Sequence, residues 1–301
     1  MPAIAVSDEV REAVEKGRPI VALESTIFTH GLPRPRNLEV ARAAEGQLRD
    51  AGVVPATVGV VAGVPTVGLT DADIERLSKD DDTVKISVRD LPVAAARRLD
   101  GGTTVAATSY LAHRAGVRVF STGGLGGVHH GAGTTFDESA DLVALTTTPI
   151  VVVSAGVKSI LDIRATLERL ETLNIPVVGF KTTKYPGFYV ADSGHEIEFA
   201  VDSAEEAAAV AASRDELGLR SALLVANPVP VDEQLDPAEH DRVLAEAWRA
   251  ADEQGVVGND TTPFLLDHIQ RATGGRSLDV NVAVYRNNVA VGAAIAAALA
   301  S

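Results

Sequence analysis

Two lysines, a glutamate and one glycine-rich loop carry most of the chemical capacity of this chain. In "PIVVVSAGVKSILD", residues 149–162, an apolar run breaks at Ser154-Ala155-Gly156 and restarts as an amphipathic helical pattern, with Lys158 at the junction. A helix N-terminus carries about half a positive charge on its unpaired N–H groups and disfavours an ammonium. Lys158 is therefore either swung into water or held with its charge suppressed. Glu24 follows the apolar "IVAL". Its carboxyl faces either solvent at a strand tip or a dry pocket that raises its pKa and suits it to proton donation, and His30 lies close enough in sequence to share that pocket or to sit on the surface. Lys85 interrupts "VKISV", which reads as an edge strand or as a cation turned toward an anion.

The segment "STGGLGGVHHGAGTTFDESADL", 121–142, places six glycines, His129, His130 and the acids Asp137, Glu138 and Asp141 in one loop. Glycine lets backbone approach a ligand closely, which fits phosphate or sugar binding. The loop is neither a dinucleotide fingerprint, because His129 replaces the third glycine counted from Gly124, nor a P-loop. Its acids and histidines could hold Mg²⁺ or Mn²⁺, or the acids could simply charge the first turn of a helix. Asn281, Asn287 and Asn288 interrupt an apolar helical face and need polar partners if buried.

These residues must be positioned by strands and helices. The runs "PIVALEST", "TVGVVAG", "TVKISV", "VRVFSTGG", "PIVVVSAG", "IPVVGFK" and "SALLVANP" alternate with helical patterns, predicting an α/β fold with a largely parallel, buried sheet. Ser203 with Glu206, and Asp236 with Pro237 and Glu239, have the spacing of helix N-caps. No repeat or linker divides the chain, so residues 1–301 are expected to form a single catalytic domain. In open α/β sheets ligands bind beyond the carboxyl ends of the strands. Those ends carry Glu24-Ser25-Thr26, Arg89-Asp90, Ser121-Thr122, Ser154 to Lys158, Lys181 to Lys184, and Asn227.

With 301 residues, 46% hydrophobic and 23% charged, the composition is that of a soluble globular protein. The net charge of −14 argues against nucleic-acid and anionic-membrane partners, which need a basic face. Cations for an anionic ligand would have to be gathered locally from Lys85, Lys158, Lys181, Lys184, His129 and His130. The absence of cysteine excludes disulfides, thiolate catalysis and Cys-ligated zinc. With no export signal visible, the cytoplasm is the expected compartment. The terminal "VAVGAAIAAALA" is short for a bilayer span and reads as a buried or interface helix.

Taken together, "VALESTIFTHGLPRPRN", "PATVGVVAGVPTVGL", "RDLP", "GGTTVAAT", "STGGLGGVHHGA", "TFDESADL", "SAGVKSILD", "LVANPVP" and the stretch from "TPFLLDHIQRATGG" to "SLDVN" resemble the pseudouridine-5′-phosphate glycosidases, in order, over roughly residues 7–295. The resemblance implies an indigoidine synthase A-like α/β/α fold. It also implies reversible cleavage of the C–C bond of pseudouridine 5′-phosphate to uracil and ribose 5-phosphate, a divalent metal, typically Mn²⁺, and a homotrimer. Position by position it makes Lys158 the nucleophile and Glu24 the proton donor. It places Lys85, Val105, Thr122, His129, Ser139, Ala140, Asp141 and Asn281 on substrate-binding positions and Asp137 on the metal position.

The chemistry explains the residue types. Ordinary glycosidases protonate a leaving oxygen, which a C-glycoside lacks, so the family uses an amine that opens the sugar at C1′ and passes through a linear iminium. One position departs from the pattern: His130 stands where the family carries arginine, exchanging a fixed fork for a titratable ring. Two further functions are compatible with the residues. One is a C-glycosynthase that joins ribose 5-phosphate to a different aromatic carbon, and the other a non-catalytic sugar-phosphate-binding protein.

Overall fold

The computed structural model describes residues 4–256 and 261–301. In chain order the strands are β1 (Ala5–Val6), β2 (Ile20–Leu23), β3 (Val54–Val61), β4 (Val64–Val67), β5 (Val84–Ile86), β6 (Gly101–Thr103), β7 (Val119–Ser121), β8 (Val151–Ser154), β9 (Val177–Phe180), β10 (Lys184–Tyr185), β11 (His195–Glu196), β12 (Phe199–Val201) and β13 (Leu223–Ala226). Each of the seven predicted runs contains a strand. One sheet runs β1-β4-β3-β2-β7-β8-β13-β9-β12, with β6 also pairing β3 and β5 joined to β6, while β10 and β11 form a separate ribbon. The pairings from β3 through β2, β7, β8, β13 and β9 to β12 are all parallel, and the antiparallel contacts within this sheet are those of β3 with β4 and β6.

The apolar strands sort by alternation. Ala22, Phe120, Val152 and Leu224 pack on one face with Val10, Ala13, Leu111 and Ala112. Val21, Leu23, Val151, Val153, Leu223 and Val225 pack on the other with Ala207, Ala211, Tyr285 and Val289. Successive side chains point to opposite faces, so runs such as "VVVS" are buried along their whole length and helices cover both sides. This is the expected α/β/α architecture with a largely parallel sheet.

Both predicted caps form. Ser203 Oγ accepts from Glu206 N at 3.2 Å, and Asp236 Oδ1 accepts from Glu239 N at 2.9 Å ahead of a helix with Pro237 in its first turn. The apolar C-terminal stretch belongs to a longer helix, Arg276–Ala300. That helix is long and apolar enough to span a membrane by composition, yet 56% of its most apolar stretch is buried within the protein. A Cβ on Gly292 would sit 1.9 Å from Ser121 Oγ, so glycine is what lets this helix lie directly on the end of β7.

Candidate active site

Glu24 leaves the end of β2, between β3 and β7. The next residue pins that end: Ser25 Oγ donates to Val58 O at 2.6 Å and accepts from Thr103 N at 2.8 Å, tying β2 to β3 and β6. The chain then makes a single π-helical turn, Ile27–Gly31, of a kind frequent at functional sites. Glu24 is only 7% exposed. The hydroxyls of Thr26 and Thr122 each donate to its carboxylate. Burial nonetheless pushes the carboxyl above the usual glutamate range, against the opposing pull of Lys158 and of these two hydrogen bonds. Of the two sequence readings, the dry pocket is the one that forms.

Lys158 is not in the first turn of a helix. The following helix begins at Ile163, capped by Asp162, whose Oδ1 accepts from Ala165 N at 2.9 Å. Lys158 sits instead in a loop stitched to the glycine segment: Ala155 N donates to Gly123 O at 2.9 Å, Leu125 N to Gly156 O at 2.9 Å, and Lys158 N to Leu125 O at 3.1 Å. The helix dipole fades within a turn and so does not set the environment of this amine; the neighbouring side chains do. Lys158 is close enough for its charge to act on Glu24, Lys85 and His129. The turn is tight because Gly156, at φ +73°, has Pro186 O and the Tyr185 ring against it, where a Cβ would fall within 2.7 to 3.0 Å of them.

Lys85 lies on β5, which among the described residues pairs only with β6, so the edge-strand reading holds. Its side chain reaches out to the same site. Desolvation, then the positive charge of Lys158, holds it below the usual lysine range, opposed by Asp141 and Glu24. His30, exposed beside Thr29, also feels Lys85. Of the other cations considered, Lys184 is engaged by Asp192 at 2.6 Å and Lys181 lies over the Phe180 ring, so neither adds to this cluster.

Asp141, Val105, Ser139 and Ala140 form one construction. Ser139 caps the helix Ala140–Leu145, accepting from Asp141 N at 3.2 Å. The buried Asp141 carboxylate then crosses to its neighbours, accepting from Ala106 N and from Gly126 N, each at 2.9 Å. Ala106 is in the first turn of Val105–Arg114, so this carboxylate brings two helix N-termini together beside Lys85. Converging N-termini beside a lysine are the kind of arrangement that attracts anions such as phosphate. Asp141 is thus an internal brace and not a charge offered to solvent. Asp141→Ala should strand the buried Ala106 N–H and free the part-buried Gly126 N–H, lowering stability by about 1 to 4 kcal/mol, read from chemical denaturation.

Asp137 and His129 face each other across the loop, with His129 Nδ1 3.9 Å from Asp137 Oδ2. Desolvation holds the half-buried His129 below the usual histidine range and so favours a neutral ring, against the opposing pull of Asp137. His130 packs edge-on to Trp248 at 4.8 Å and lies 4.0 Å from Asp162. Among the described residues no group of three or more ligating side chains gathers to cage a metal. A hard divalent ion does not require one, since such ions are commonly held by one or two carboxylates, waters and substrate phosphate. Asp137 fits that pattern.

Asn281 sits near the end of β7, its Oδ1 3.5 Å from where a Gly123 Cβ would be. The predicted site residues therefore come from the ends of β2 and β7, the glycine-rich loop that carries His129 and Asp137, the loop after β8, strand β5, two helix N-termini and the C-terminal helix. Sequence reading left Asn227 and Asn288 without a role, yet they lie buried under the same strand ends. The signal for Asn288 was a polar side chain on an otherwise apolar helical face, and for Asn227 a polar residue at the carboxyl end of a buried strand.

A parallel α/β sheet with a buried carboxyl, a lysine and an anion cradle at its strand ends defines a small-molecule enzyme scaffold. The family model described as "Indigoidine synthase A like protein" matches residues 9–298, and the chain belongs to that family. Among its relatives, the pseudouridine-5′-phosphate glycosidase of Saccharopolyspora erythraea is 71% identical, over 98% of this chain and 97% of that one. The enzyme of the same name from Frankia alni is 57% identical over 99% of this chain and 82% of its own. The crystal structure of the prealnumycin C-glycosynthase AlnA in complex with ribulose 5-phosphate superposes with a TM-score of 0.93 at 37% identity, covering 100% of this chain and 98% of that one. An indigoidine synthase A-like protein of Thermotoga maritima gives a TM-score of 0.89 at 36% identity, covering 99% and 97%.

Proposed function

We propose that the chain is a pseudouridine-5′-phosphate glycosidase, cleaving its substrate reversibly to uracil and ribose 5-phosphate with Lys158 as nucleophile and Glu24 as proton donor. The observation that carries this reading is a buried Glu24, its carboxyl pushed upward by burial, within reach of the charge of Lys158 in the loop after β8, in a chain 71% identical to a relative of that name.

The amine of Lys158 attacks C1′, the C1′–O4′ bond breaks, and O4′ takes the proton of Glu24. The Glu24 carboxylate takes a proton from the attached nitrogen and so frees its lone pair, which forms C1′=N⁺ as the C1′–C5 bond breaks. The electron pair of that bond stays with C5 of uracil, which takes the proton from Glu24, and water hydrolyses the iminium to release ribose 5-phosphate, returning the amine of Lys158 and the proton of Glu24. Lys85 and the N-termini at Val105 and Ala140, with Ser139 beside them and Asp141 as their brace, hold the 5′-phosphate. Thr122, His129 and Asn281 line the sugar and aglycone side. A divalent ion, Mn²⁺ on the family pattern, would be held by Asp137 and would offset phosphate charge. The same family pattern supports a homotrimer working in the cytoplasm.

Borohydride reduction in the presence of ribose 5-phosphate, followed by peptide mapping, tests the reading. A reduced five-carbon adduct on Lys158 is expected. No adduct under turnover conditions would overturn the lysine mechanism. The likeness to the C-glycosynthase AlnA favours a second reading, in which another aromatic carbon takes the place of uracil. Uracil and ribose 5-phosphate incubated with the protein yield pseudouridine 5′-phosphate on the first reading and nothing on the second.

A further inference from the structure

Beneath the strand ends lies a fully enclosed amide pair that the proposed chemistry does not use. Asn288, 0% exposed in the middle of the helix Arg276–Ala300, directs one end of its side chain at two backbone carbonyls, Thr122 O at 2.7 Å and Gly123 O at 3.2 Å. An atom facing two carbonyl oxygens must be the NH2 group, so the other end must be the carbonyl oxygen and must accept. It accepts from the side-chain amide of Asn227 at 2.9 Å, at the end of β13. Asn227 is itself held by its backbone N–H, which donates to Ser154 O at 2.8 Å. The orientation of the pair is thus fixed from both ends.

A buried amide costs desolvation that an apolar residue of similar size avoids, and its hydrogen bonds return only a modest net gain. What this pair provides is a defined place for Thr122. Thr122 N donates to Val153 O at 3.0 Å and Thr122 O accepts from Asn288, so the backbone is held on both sides and only the side chain is free to rotate. Its hydroxyl donates to Glu24 Oε1. A continuous chain of hydrogen bonds therefore runs from Asn227 through Asn288 and Thr122 to the Glu24 carboxyl, joining β13, the C-terminal helix, the end of β7 and the end of β2.

We propose that Asn288 is a positioning residue that sets the Glu24 carboxyl through Thr122, with Asn227 fixing the orientation of Asn288. The assignment rests on the reading in which Glu24 is the proton donor. The other groups that act on Glu24 are Thr26, Lys158 and Asp141, with Lys85 on β5 and Tyr285 on the C-terminal helix also interacting with it. All of them stay unchanged in the variants below.

The test measures kcat and KM for pseudouridine 5′-phosphate across pH in the wild type, Asn288→Ala, Asn227→Ala, Thr122→Val and the Thr122→Val/Asn288→Ala double variant. Borohydride trapping with ribose 5-phosphate is run alongside on each. Misplacing a catalytic group by about 1 Å costs up to about a hundredfold. Asn288→Ala should therefore lower kcat about ten- to a hundredfold, with KM changed by less than about threefold. The pH limb belonging to Glu24 should move upward, because a hydrogen bond favouring the carboxylate is lost. Asn227→Ala should act in the same direction and more weakly. It leaves the Asn288 side chain in place, so it carries the test if Asn288→Ala does not fold.

In the Thr122→Val background, Asn288→Ala should add less than about twofold, since residues acting through one another are not additive. A lower melting temperature with unmoved kcat and pH limb overturns the proposal, as does full additivity with Thr122→Val. A wild type that traps no adduct on Lys158 overturns the underlying reading and this assignment with it, whereas a trapped wild type with unaffected variants overturns this assignment alone.

Discussion

Lys158→Ala is expected to fold normally and to lose cleavage of pseudouridine 5′-phosphate by on the order of 10⁴-fold or more, the scale of deleting a covalent nucleophile. The structural work at this position is done by the backbone, whose N–H reaches Leu125 O and whose carbonyl receives Leu161 N at 3.0 Å. Alanine keeps both contacts, so stability should change by less than about 1 kcal/mol. The side chain also pulls the Glu24 carboxyl downward, so its removal should let Glu24 titrate higher still, visible as a shifted carboxyl signal. Lys158→Arg separates the two roles: a guanidinium preserves the positive neighbour but is a poor nucleophile, so Glu24 should be restored while cleavage is not. Single-turnover assays on both variants, with carboxyl titration by NMR, decide the matter. Normal turnover by the alanine protein would remove Lys158 from the mechanism.

Glu24→Gln should lower cleavage by about 10² to 10⁴-fold, the range for a positioned proton donor. Substrate affinity should be changed far less. The same substitution carries a stability signature of opposite sign. Burial raises the folded-state pKa of Glu24 above its unfolded value, so the native state binds more protons than the unfolded state between the two. Stability contributed by this group is therefore fully present below the unfolded pKa and is lost as pH rises through the folded one. Glutamine is neutral throughout. The variant should match the wild type in acid and exceed it at neutral pH, as followed by denaturant titrations across that interval. A catalytic group whose replacement stabilises the protein is the expected mark of a carboxyl held in a dry place for function.

Much of the scaffold was legible because its physics is local. The strands β2, β7, β8, β9 and β13 are short, almost wholly apolar runs, and such runs bounded by turn residues read as buried parallel strands. The short β4 and the Gly-Gly of β6 lacked that signature. They are strands because β3 offers them an edge, which depends on partners distant in sequence. Lys158 illustrates a specific limit. The pattern after Gly156 looked helical at once, but the loop made its first hydrogen bonds to Gly123 and Leu125 and delayed the helix to Ile163. The amine that a helix dipole was expected to influence lies instead where its charge acts on Glu24 and Lys85. Asp141 was read as a ligand contact or a first-turn acid, whereas its carboxylate bridges two backbone N–H groups from other segments. No spacing rule within "DESADL" encodes that partner.

The hydrogen-bond chain at Thr122 also has a consequence in time. Thr122 touches a residue 98 positions before it and another 166 positions after it. Contacts of such separation close late, after much of the loop entropy has been lost. The helix Arg276–Ala300 packs on β2, β7 and β8, and the carboxyl at Glu24 is not finished until that helix has docked. Activity regained on refolding should therefore never run ahead of the helical signal in far-UV circular dichroism.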